Sequence, residues 1–239
     1  MKRYWISIFF VSILFISNFA FGGQIGALSF NVAEDKDFGI AGAGLVGFSQ
    51  REVSIVHDQN KTDTISSTQF NAKFTVGPIK YVDVYGIFGG SDLRENDGQF
   101  DGLLGTTFGI GLRPQIFPLI WRDKINTKIR IALDGQYREI RTSDDTTSGR
   151  LLEGQGALII SYVTPTFVPY GGMKYDWAKV LFSGNPRVAD NIISSNKVGA
   201  FLGTDYFVTP EVFFSAELSI FTETGLYLAV GYRWATDWK

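Results

Sequence analysis

The feature of this sequence that most constrains its fold is a recurring alternation of apolar and polar residues. Between Glu211 and Phe221 every second residue is apolar, and most of the positions between them are Glu or Ser. The same pattern runs through residues 69–76, 128–138 and 225–234. Because successive side chains of a β-strand point to opposite faces, each segment predicts a strand with one apolar face and one polar face.

Further segments show a weaker form of the pattern, and they bring the expected number of strands to about ten, with a range of eight to twelve. The stretch Ile40–Val56 is also strand-like, but its alternation drifts, which predicts a bulge or a displaced strand start. The weaker segments are Val82–Phe88, Thr106–Arg113, Leu152–Tyr162, Tyr170–Val180 and Lys197–Phe207.

The connections between these strands favour an antiparallel up-and-down barrel. Short links containing proline alternate along the chain with longer polar ones, which is typical of transmembrane barrels with short turns at one end. Residues 114–127 and 222–225 break this rule. The short links are 77–79, 164–166 and 208–210, and the predicted long loops are 58–66, 91–102, 141–149 and 182–195.

Alternation alone also fits a secreted β-sandwich, which buries one face and exposes the other to water. Charged residues fall in the centres of strands, where a barrel would turn them into its lumen, although they could equally lie on the solvent face of a sandwich. The positions of the aromatic residues favour a membrane. Aromatic residues fall near strand ends, where they would form interfacial girdles. These are Tyr81, Tyr162, Tyr170, Trp177, Tyr232 and Trp234.

The N-terminus has the features of a secretory signal peptide. Lys2 and Arg3 precede an apolar stretch of about a dozen residues, and small residues follow at Ala20 and Gly22. The stretch is short for a membrane-spanning helix, although an uncleaved anchor is the alternative. We therefore expect a cleaved signal peptide at residues 1–22, an outer-membrane β-barrel domain at residues 23–239, and a location in the outer membrane.

Composition excludes several classes of function. The chain has no cysteine, so neither a disulfide framework nor a thiolate metal site is possible. Its formal net charge is −2 and it has no run of basic residues, so no nucleic-acid partner is expected. Nothing in the sequence indicates a cofactor.

The segment Gly-Leu-Tyr-Leu-Ala-Val-Gly-Tyr-Arg-Trp at 225–234 resembles the terminal strand of small outer-membrane β-barrel proteins of the OmpA/OmpX-like kind, without a periplasmic domain. The resemblance extends over the whole chain after residue 22 as one of pattern. It implies a Gram-negative-type bacterium, outer-membrane lipid around the barrel and the barrel-assembly machinery as a partner during insertion.

The predicted lumen carries nearly balanced charges. In a narrow barrel such charges would pair across the lumen and fill it, which favours a plugged barrel over a small-solute or ion channel. The predicted lumen-facing polar residues are Lys73, Asp83, Arg113, Arg130, Asp134, Arg138, Glu153, Lys174, Asp176, Glu217 and Arg233.

Other candidate sites are weaker. His57-Asp58 and Asp144-Asp145 allow a comparison with omptins, outer-membrane proteases that use an Asp-His pair and an Asp pair. The loop 92–101 is rich in oxygen ligands but lacks the spacing of a calcium loop, and the glycines at 39–44 do not fit a dinucleotide fingerprint. The leading hypothesis is therefore a non-enzymatic barrel with a structural or surface-interaction role, and an omptin-type hydrolase is a distant alternative.

Overall fold

The computed structural model describes residues 38–55, 58–95, 100–119, 128–184, 191–195 and 197–234. Within these residues the chain is all-β. The strands are β1 (Gly39–Ile55), β2 (Asp58–Ile79), β3 (Val82–Glu95), β4 (Asp101–Leu119), β5 (Lys128–Ser143), β6 (Ser148–Val163), β7 (Phe167–Ser183), β8 (Asn191–Ser194), β9 (Val198–Phe207), β10 (Val212–Ile220) and β11 (Thr224–Trp234). No described helix is long and apolar enough to cross a membrane.

Ten of these strands form a closed antiparallel barrel, as the alternation predicts. Each of these strands pairs with its sequence neighbours, except that β7 pairs with β9. The ring is closed by β1 and β11, whose register runs from Ile40 opposite Trp234 to Gln50 opposite Thr224. The sheet of these ten strands therefore has no free edge along its inner part, which is the requirement for a strand structure in lipid.

The eleventh strand, β8, changes the width of the barrel. It pairs with β7 from Lys179 to Leu181 on one side and with β1 from Val53 to Ile55 on the other. The hairpin of β10 and β11 turns back below it, at residues 221–223. The wall therefore has ten strands near the chain termini, which we call the inner tier. Beyond the β10–β11 turn it has eight strands, β1 to β8, which we call the outer tier.

In the inner tier the outward face is apolar. Nine residues of β6, from Gly154 to Tyr162, lie on this part of the wall, and at a rise of ~3.3 Å and a tilt of ~40° they span about 23 Å. This height matches the apolar band of a transmembrane barrel. The band includes large outward side chains that are 42–66 % exposed, among them Phe70, Phe74, Ile110, Leu133, Leu158, Met173, Leu202, Phe214, Leu228 and Val230.

Four of the predicted girdle residues, Tyr162, Trp177, Tyr232 and Trp234, are also on the outward face, with exposed fractions of 37–46 %. The prediction for Tyr170 is wrong, because its ring is buried in the barrel interior and its hydroxyl donates a hydrogen bond to Glu217 (3.0 Å). The alternation placed Tyr170 near a strand end but could not show that its phenol has a carboxylate partner across the lumen.

The predicted long loops are largely wrong as loops. β2 already begins at Asp58, β3 continues to Glu95, and β5 and β6 leave only the tight turn 144–147 between them. The predicted loop 182–195 contains β8. These segments are polar because their outward faces lie in the outer tier, beyond the apolar band. Polar composition there belongs to the outward face of a continuing strand, and it does not mark the end of a strand.

Candidate functional site: the filled barrel interior

The barrel interior collects most of the charged residues that the alternation assigns to the lumen. Ten of the eleven predicted side chains are buried there. They are Lys73, Asp83, Arg113, Arg130, Asp134, Arg138, Glu153, Lys174, Asp176 and Glu217. The eleventh, Arg233, lies half-buried near the chain termini, where it donates to the backbone oxygen of Pro210 (2.9 Å) and stacks on the ring of Phe207.

The first group of interior charges surrounds Arg51, and we call it the Arg51 cluster. Nη2 of Arg51 donates to carboxylate oxygens of Glu153 (2.7 Å), Asp176 (2.9 Å) and Glu223 (2.8 Å). Glu153 is also bound by Arg138, whose Nε lies 2.9 Å from Oε2, and Lys174 is paired with Glu223. The cluster consists of Arg51, Arg138, Lys174, Glu153, Asp176 and Glu223, so its three positive and three negative charges balance.

Glu223 explains how the short β10–β11 hairpin is held in the wall. The turn at 221–223 begins with Phe221 at a φ of 79°, and it buries Thr222 and Glu223 while Phe221 remains exposed. The carboxylate of Glu223 points into the interior, where Arg51 of β1 and Lys174 of β7 bind it. The two strands that flank the step from ten to eight strands are thus tied to the hairpin tip between them.

The second group lies toward the chain termini, around the phenol of Tyr85, and we call it the Tyr85 cluster. The Tyr85 hydroxyl donates to Asp134 (2.8 Å), whose other oxygen accepts from Nε of Arg113 (2.8 Å). The ammonium of Lys73 lies 4.1 Å from the centre of the Tyr85 ring, a cation–π contact. The ring fits because β4 has a glycine beside it, where a Cβ of Gly111 would lie 2.1 Å from Cζ of Tyr85.

Apolar side chains occupy the interior at both ends of the charged region. Toward the termini a cluster from β1, β7, β9, β10 and β11 comprises Ala41, Ala43, Leu45, Val168, Phe207, Phe213 and Ala229. In the outer tier a second cluster comprises Val53, Ile65, Leu93, Phe100, Ile140, Leu151, Ala178 and Val180. Phe100 packs edge-on against Phe182 there, with ring centroids 4.9 Å apart. The inner apolar cluster also explains the drifting alternation of β1, because both faces of that strand end are apolar or small.

Little space remains between these layers. Two interior cavities among the described residues have volumes of about 20 Å³, beside Arg51, and about 10 Å³, beside Tyr227. Each is large enough for about one water molecule. The interior around these two cavities offers charges and hydrogen-bonding groups, and neither cavity is large enough for a hydrated ion.

The three carboxylates of the Arg51 cluster are close enough to be considered as a metal site. One oxygen from each of Glu153, Asp176 and Glu223 lies within 4.8 Å of the others. Arg51 already donates to all three, and Arg138 and Lys174 complete their neutralisation. A guanidinium thus occupies the position that a hard cation would need, so the residues do not fit a metal ion.

The other candidate sites receive little support. His57 lies outside the described residues, so the omptin-like pair with Asp58 stays a prediction. Asp144 accepts hydrogen bonds from the backbone amides of Thr146 (2.7 Å) and Thr147 (2.6 Å). These bonds stabilise the turn 144–147. In the segment 92–101, Nε of Arg94 lies 3.1 Å from Asp101, and Nη2 lies 3.2 Å from Asp92.

No family model and no curated protein matches this sequence. Several solved structures are similar in shape. An outer-membrane channel from Pseudomonas putida F1 has 7 % identity and a TM-score of 0.42, over 88 % of this chain and 100 % of that one. The translocator domain of the autotransporter NalP from Neisseria meningitidis has 12 % identity and a TM-score of 0.36, over 83 % and 88 % of the two chains.

The transport unit of the autotransporter AIDA-I from Escherichia coli has 12 % identity and a TM-score of 0.38, over 95 % of this chain and 97 % of that one. Likenesses at this level carry no functional assignment. The closed barrel rests on its own strand pairing, from β1 through to the closing ladder of β1 and β11.

Several interior residues were missed by sequence reasoning. Arg51 lies in the strand whose alternation drifts, and Glu223 lies in a link that is too short to be a loop. Tyr85 and Tyr227 are buried phenols that hydropathy alone counts as apolar. A signal for Arg51 was present, because it is the one basic residue between two apolar stretches of that strand.

Proposed function

We propose that this chain is a non-enzymatic outer-membrane barrel with a closed lumen, which holds the outer tier above the membrane as a rigid surface for contact. The apolar band supports the membrane location, since among the described outward residues of the inner tier none is charged. Outer-membrane lipid would surround this band, and the barrel-assembly machinery would recognise the terminal strand β11.

The observation that carries the closed lumen is the pairing of the interior charges. In the Arg51 cluster each carboxylate has a cationic partner, and two of the interior apolar clusters lie on either side of the charged region. Removing one member of such a network leaves an uncompensated buried charge, which costs about 3–5 kcal/mol. The side chains packed in the interior are therefore part of the folded state, and thermal motion alone would not open a passage between them.

Planar bilayer recording tests the closed lumen. The purified barrel should insert and give no stable unit conductance. The outward-facing variant Phe214→Ala should stay silent as well. Stable conductance of the unmodified protein would support a channel.

Location and orientation can be tested with matched epitope insertions. An epitope between Asp145 and Thr146, at the tip of the outer tier, should bind antibody on intact cells. The same epitope between Lys80 and Tyr81, at the opposite end, should bind only after permeabilisation. Cell fractionation should place the protein in the outer membrane, as a compact gel species that shifts on boiling. Recovery in the soluble periplasmic extract would contradict the proposal.

The absence of enzymatic activity is also a proposal, and it needs its own test. Peptide and lipid substrates should be left intact by the unmodified protein and by His57→Ala alike. Turnover that His57→Ala abolishes would favour the omptin-type hydrolase.

A further inference from the structure

The outward face of the inner tier is interrupted by a groove across β2 to β6. Its volume is about 950 Å³, within the ~300–1,000 Å³ of ordinary ligand sites. Its walls are side chains such as Phe74, Phe88, Ile110 and Tyr137, and part of its floor is bare backbone at Gly135 and Gly154.

The groove exists because outward positions that could carry side chains carry glycine. Gly135 of β5 lies opposite Gly156 of β6 in the ladder. A Cβ at Gly156 would meet no atom within 4 Å, and one at Gly135 would come no closer than 4.0 Å to its nearest neighbour. Packing therefore does not require glycine here, in contrast to Gly111 beside Tyr85. Glycine within a strand weakens it and often marks the close approach of a ligand.

Two outward-facing arginines of β5 and β6 lie opposite each other on the outer-tier side of the groove. Arg141 of β5 pairs in register with Arg150 of β6. Like charges in this position repel each other and need an anion between them. Glu139 supplies one, accepting from Nε (2.8 Å) and Nη2 (3.0 Å) of Arg150 and from Nε of Arg141.

Because one carboxylate lies between two guanidinium groups, Arg141, Arg150 and Glu139 together carry a net positive charge. We call this group the arginine row. The side chains of Arg141 and Arg150 are 67 % and 46 % exposed, so their remaining N–H groups can reach a ligand. Lys179 of β7 is a further outward cation, on the strand next to Arg150. The carboxylates of Asp144 and Asp145 lie beyond the row, in the hairpin turn, where Asp144 is engaged with backbone amides.

The floor of the groove and the pair of arginines are separated by about the depth of one lipid leaflet. Gly135 of the groove floor lies six residues from Arg141 along β5, which is about 20 Å of strand at ~3.3 Å per residue. At a tilt of ~40° this is a depth of about 15 Å, half of a ~30 Å hydrocarbon core. An amphiphile with its anionic headgroup at the arginine row would extend its acyl chain to the floor of the groove.

We propose that this face of the barrel binds one anionic phospholipid, with its phosphate on Arg141 and Arg150 and an acyl chain in the groove over Gly135 and Gly154. The proposal rests on the membrane location proposed above. Guanidinium groups bind phosphate oxygens in a fork of two hydrogen bonds, which fits this headgroup. The acyl chain would replace the side chains that the glycines lack.

Native mass spectrometry of the purified barrel tests this binding, with phosphatidylglycerol, phosphatidylcholine and glycerol phosphate as probes. The barrel should retain one phosphatidylglycerol in preference to phosphatidylcholine. The double variant Arg141→Gln, Arg150→Gln should weaken retention about tenfold or more, as expected for loss of charge-assisted contacts. Gly135→Val should weaken it as well, because Gly135 is part of the groove floor and a Cβ there would come no closer than 4.0 Å to its nearest neighbour.

Gly44→Val is the matched control, since Gly44 is an exposed outward glycine of β1 away from the groove, with 4.0 Å to its nearest neighbour. It should retain phosphatidylglycerol like the unmodified protein. Equal retention of both phospholipids, or equal weakening by both valine variants, would overturn the proposal. So would competition by glycerol phosphate as strong as that by the lipid, or a dimer that Gly135→Val dissociates.

Flotation with phosphatidylcholine vesicles separates this proposal from the proposed function. A barrel that floats with vesicles and shifts on boiling, but shows no preference for phosphatidylglycerol, refutes only the lipid site. A barrel that does not enter vesicles refutes the membrane location itself.

Discussion

Strands β1 to β7 run through both tiers of the barrel, but their apolar side chains face outward in the inner tier and mostly inward in the outer tier. In the inner tier, apolar side chains point outward and the charged clusters point inward. In the outer tier, β5 turns Glu139 and Arg141 outward and Ile140 inward, and the direction of each side chain still alternates without a break. The chemistry of the two faces therefore exchanges within one strand, between Arg138 and Ile140.

This exchange shows that the surroundings decide which residues a barrel turns inward. Where water lies outside, as we propose for the outer tier, burying apolar side chains stabilises the fold. Where lipid lies outside, apolar side chains gain little by turning inward, and the interior can hold charges provided that they are paired. Substitutions in the interiors of the two tiers should therefore lower the stability of the barrel for different reasons.

The largest effect is expected from a charge placed in the outer apolar cluster. Ile140→Asp buries a carboxylate among Val53, Leu93 and Leu151, and should destabilise the barrel by about 4 kcal/mol or more. The measurement is the urea midpoint for loss of the compact gel species. Arg141→Ser, one residue away on the outward face, should cost less than ~1 kcal/mol. Equal effects at both positions would refute the exchange of faces.

A smaller loss is expected in the inner tier when Arg51 is removed. Arg51→Met leaves three carboxylates facing one another and should cost about 3 kcal/mol in the same measurement. Adding Glu223→Gln removes one of these charges and should recover part of the loss. If the double variant is destabilised by the sum of the single effects, Arg51 and Glu223 do not act together and the described cluster is wrong.

A still smaller effect is expected from a cavity in the outer tier. Leu93 is 1 % exposed within the outer apolar cluster, so Leu93→Ala should cost about 2–3 kcal/mol. Leu103, on the outward face of the neighbouring strand, is 69 % exposed, and Leu103→Ala should cost less than ~1 kcal/mol. If the order of the two effects is reversed, the outer tier does not have a water-facing exterior.

The inner tier is also the part that the sequence predicts best. Most of its strands, although not β1, alternate between apolar and polar residues, and the charges at Arg130, Asp134, Lys174, Asp176 and Glu217 are all buried where the pattern places them. The reason is physical, since apolar side chains outside and paired charges inside give the two faces clearly different compositions. A pattern of period two is then enough to assign both faces.

The outer tier was predicted poorly for the opposite reason. A strand with polar residues facing water and few apolar residues facing inward resembles a polar loop, so β2 from Asp58 and β5 to Ser143 were missed as strands. The step from ten to eight strands was missed as well, because β8 has only four residues and pairs with β1, far away in the sequence. Glu223 depends on that step and could not be placed without it.

The smallest effect concerns two turns at opposite ends of the barrel. In the outer turn, the hydrogen bonds from the amides of Thr146 and Thr147 hold the pKa of Asp144 below its ordinary value. In the inner turn, the uncharged hydroxyl of Thr164 accepts from the amide of Phe167 (3.0 Å). Both side chains stabilise a turn, but only the carboxylate of Asp144 can be protonated as the pH falls.

The protection that Asp144 gives should therefore be present above the ordinary carboxyl pKa of about 4 and be lost as the pH falls through the lowered pKa. Amide exchange at Thr147 should be faster in Asp144→Asn than in the unmodified protein at about pH 6, and the difference should vanish near pH 2. In Thr164→Ala, the difference in exchange at Phe167 should not change over this range. A pH-dependent difference at the inner turn would show that the outer one does not report on Asp144.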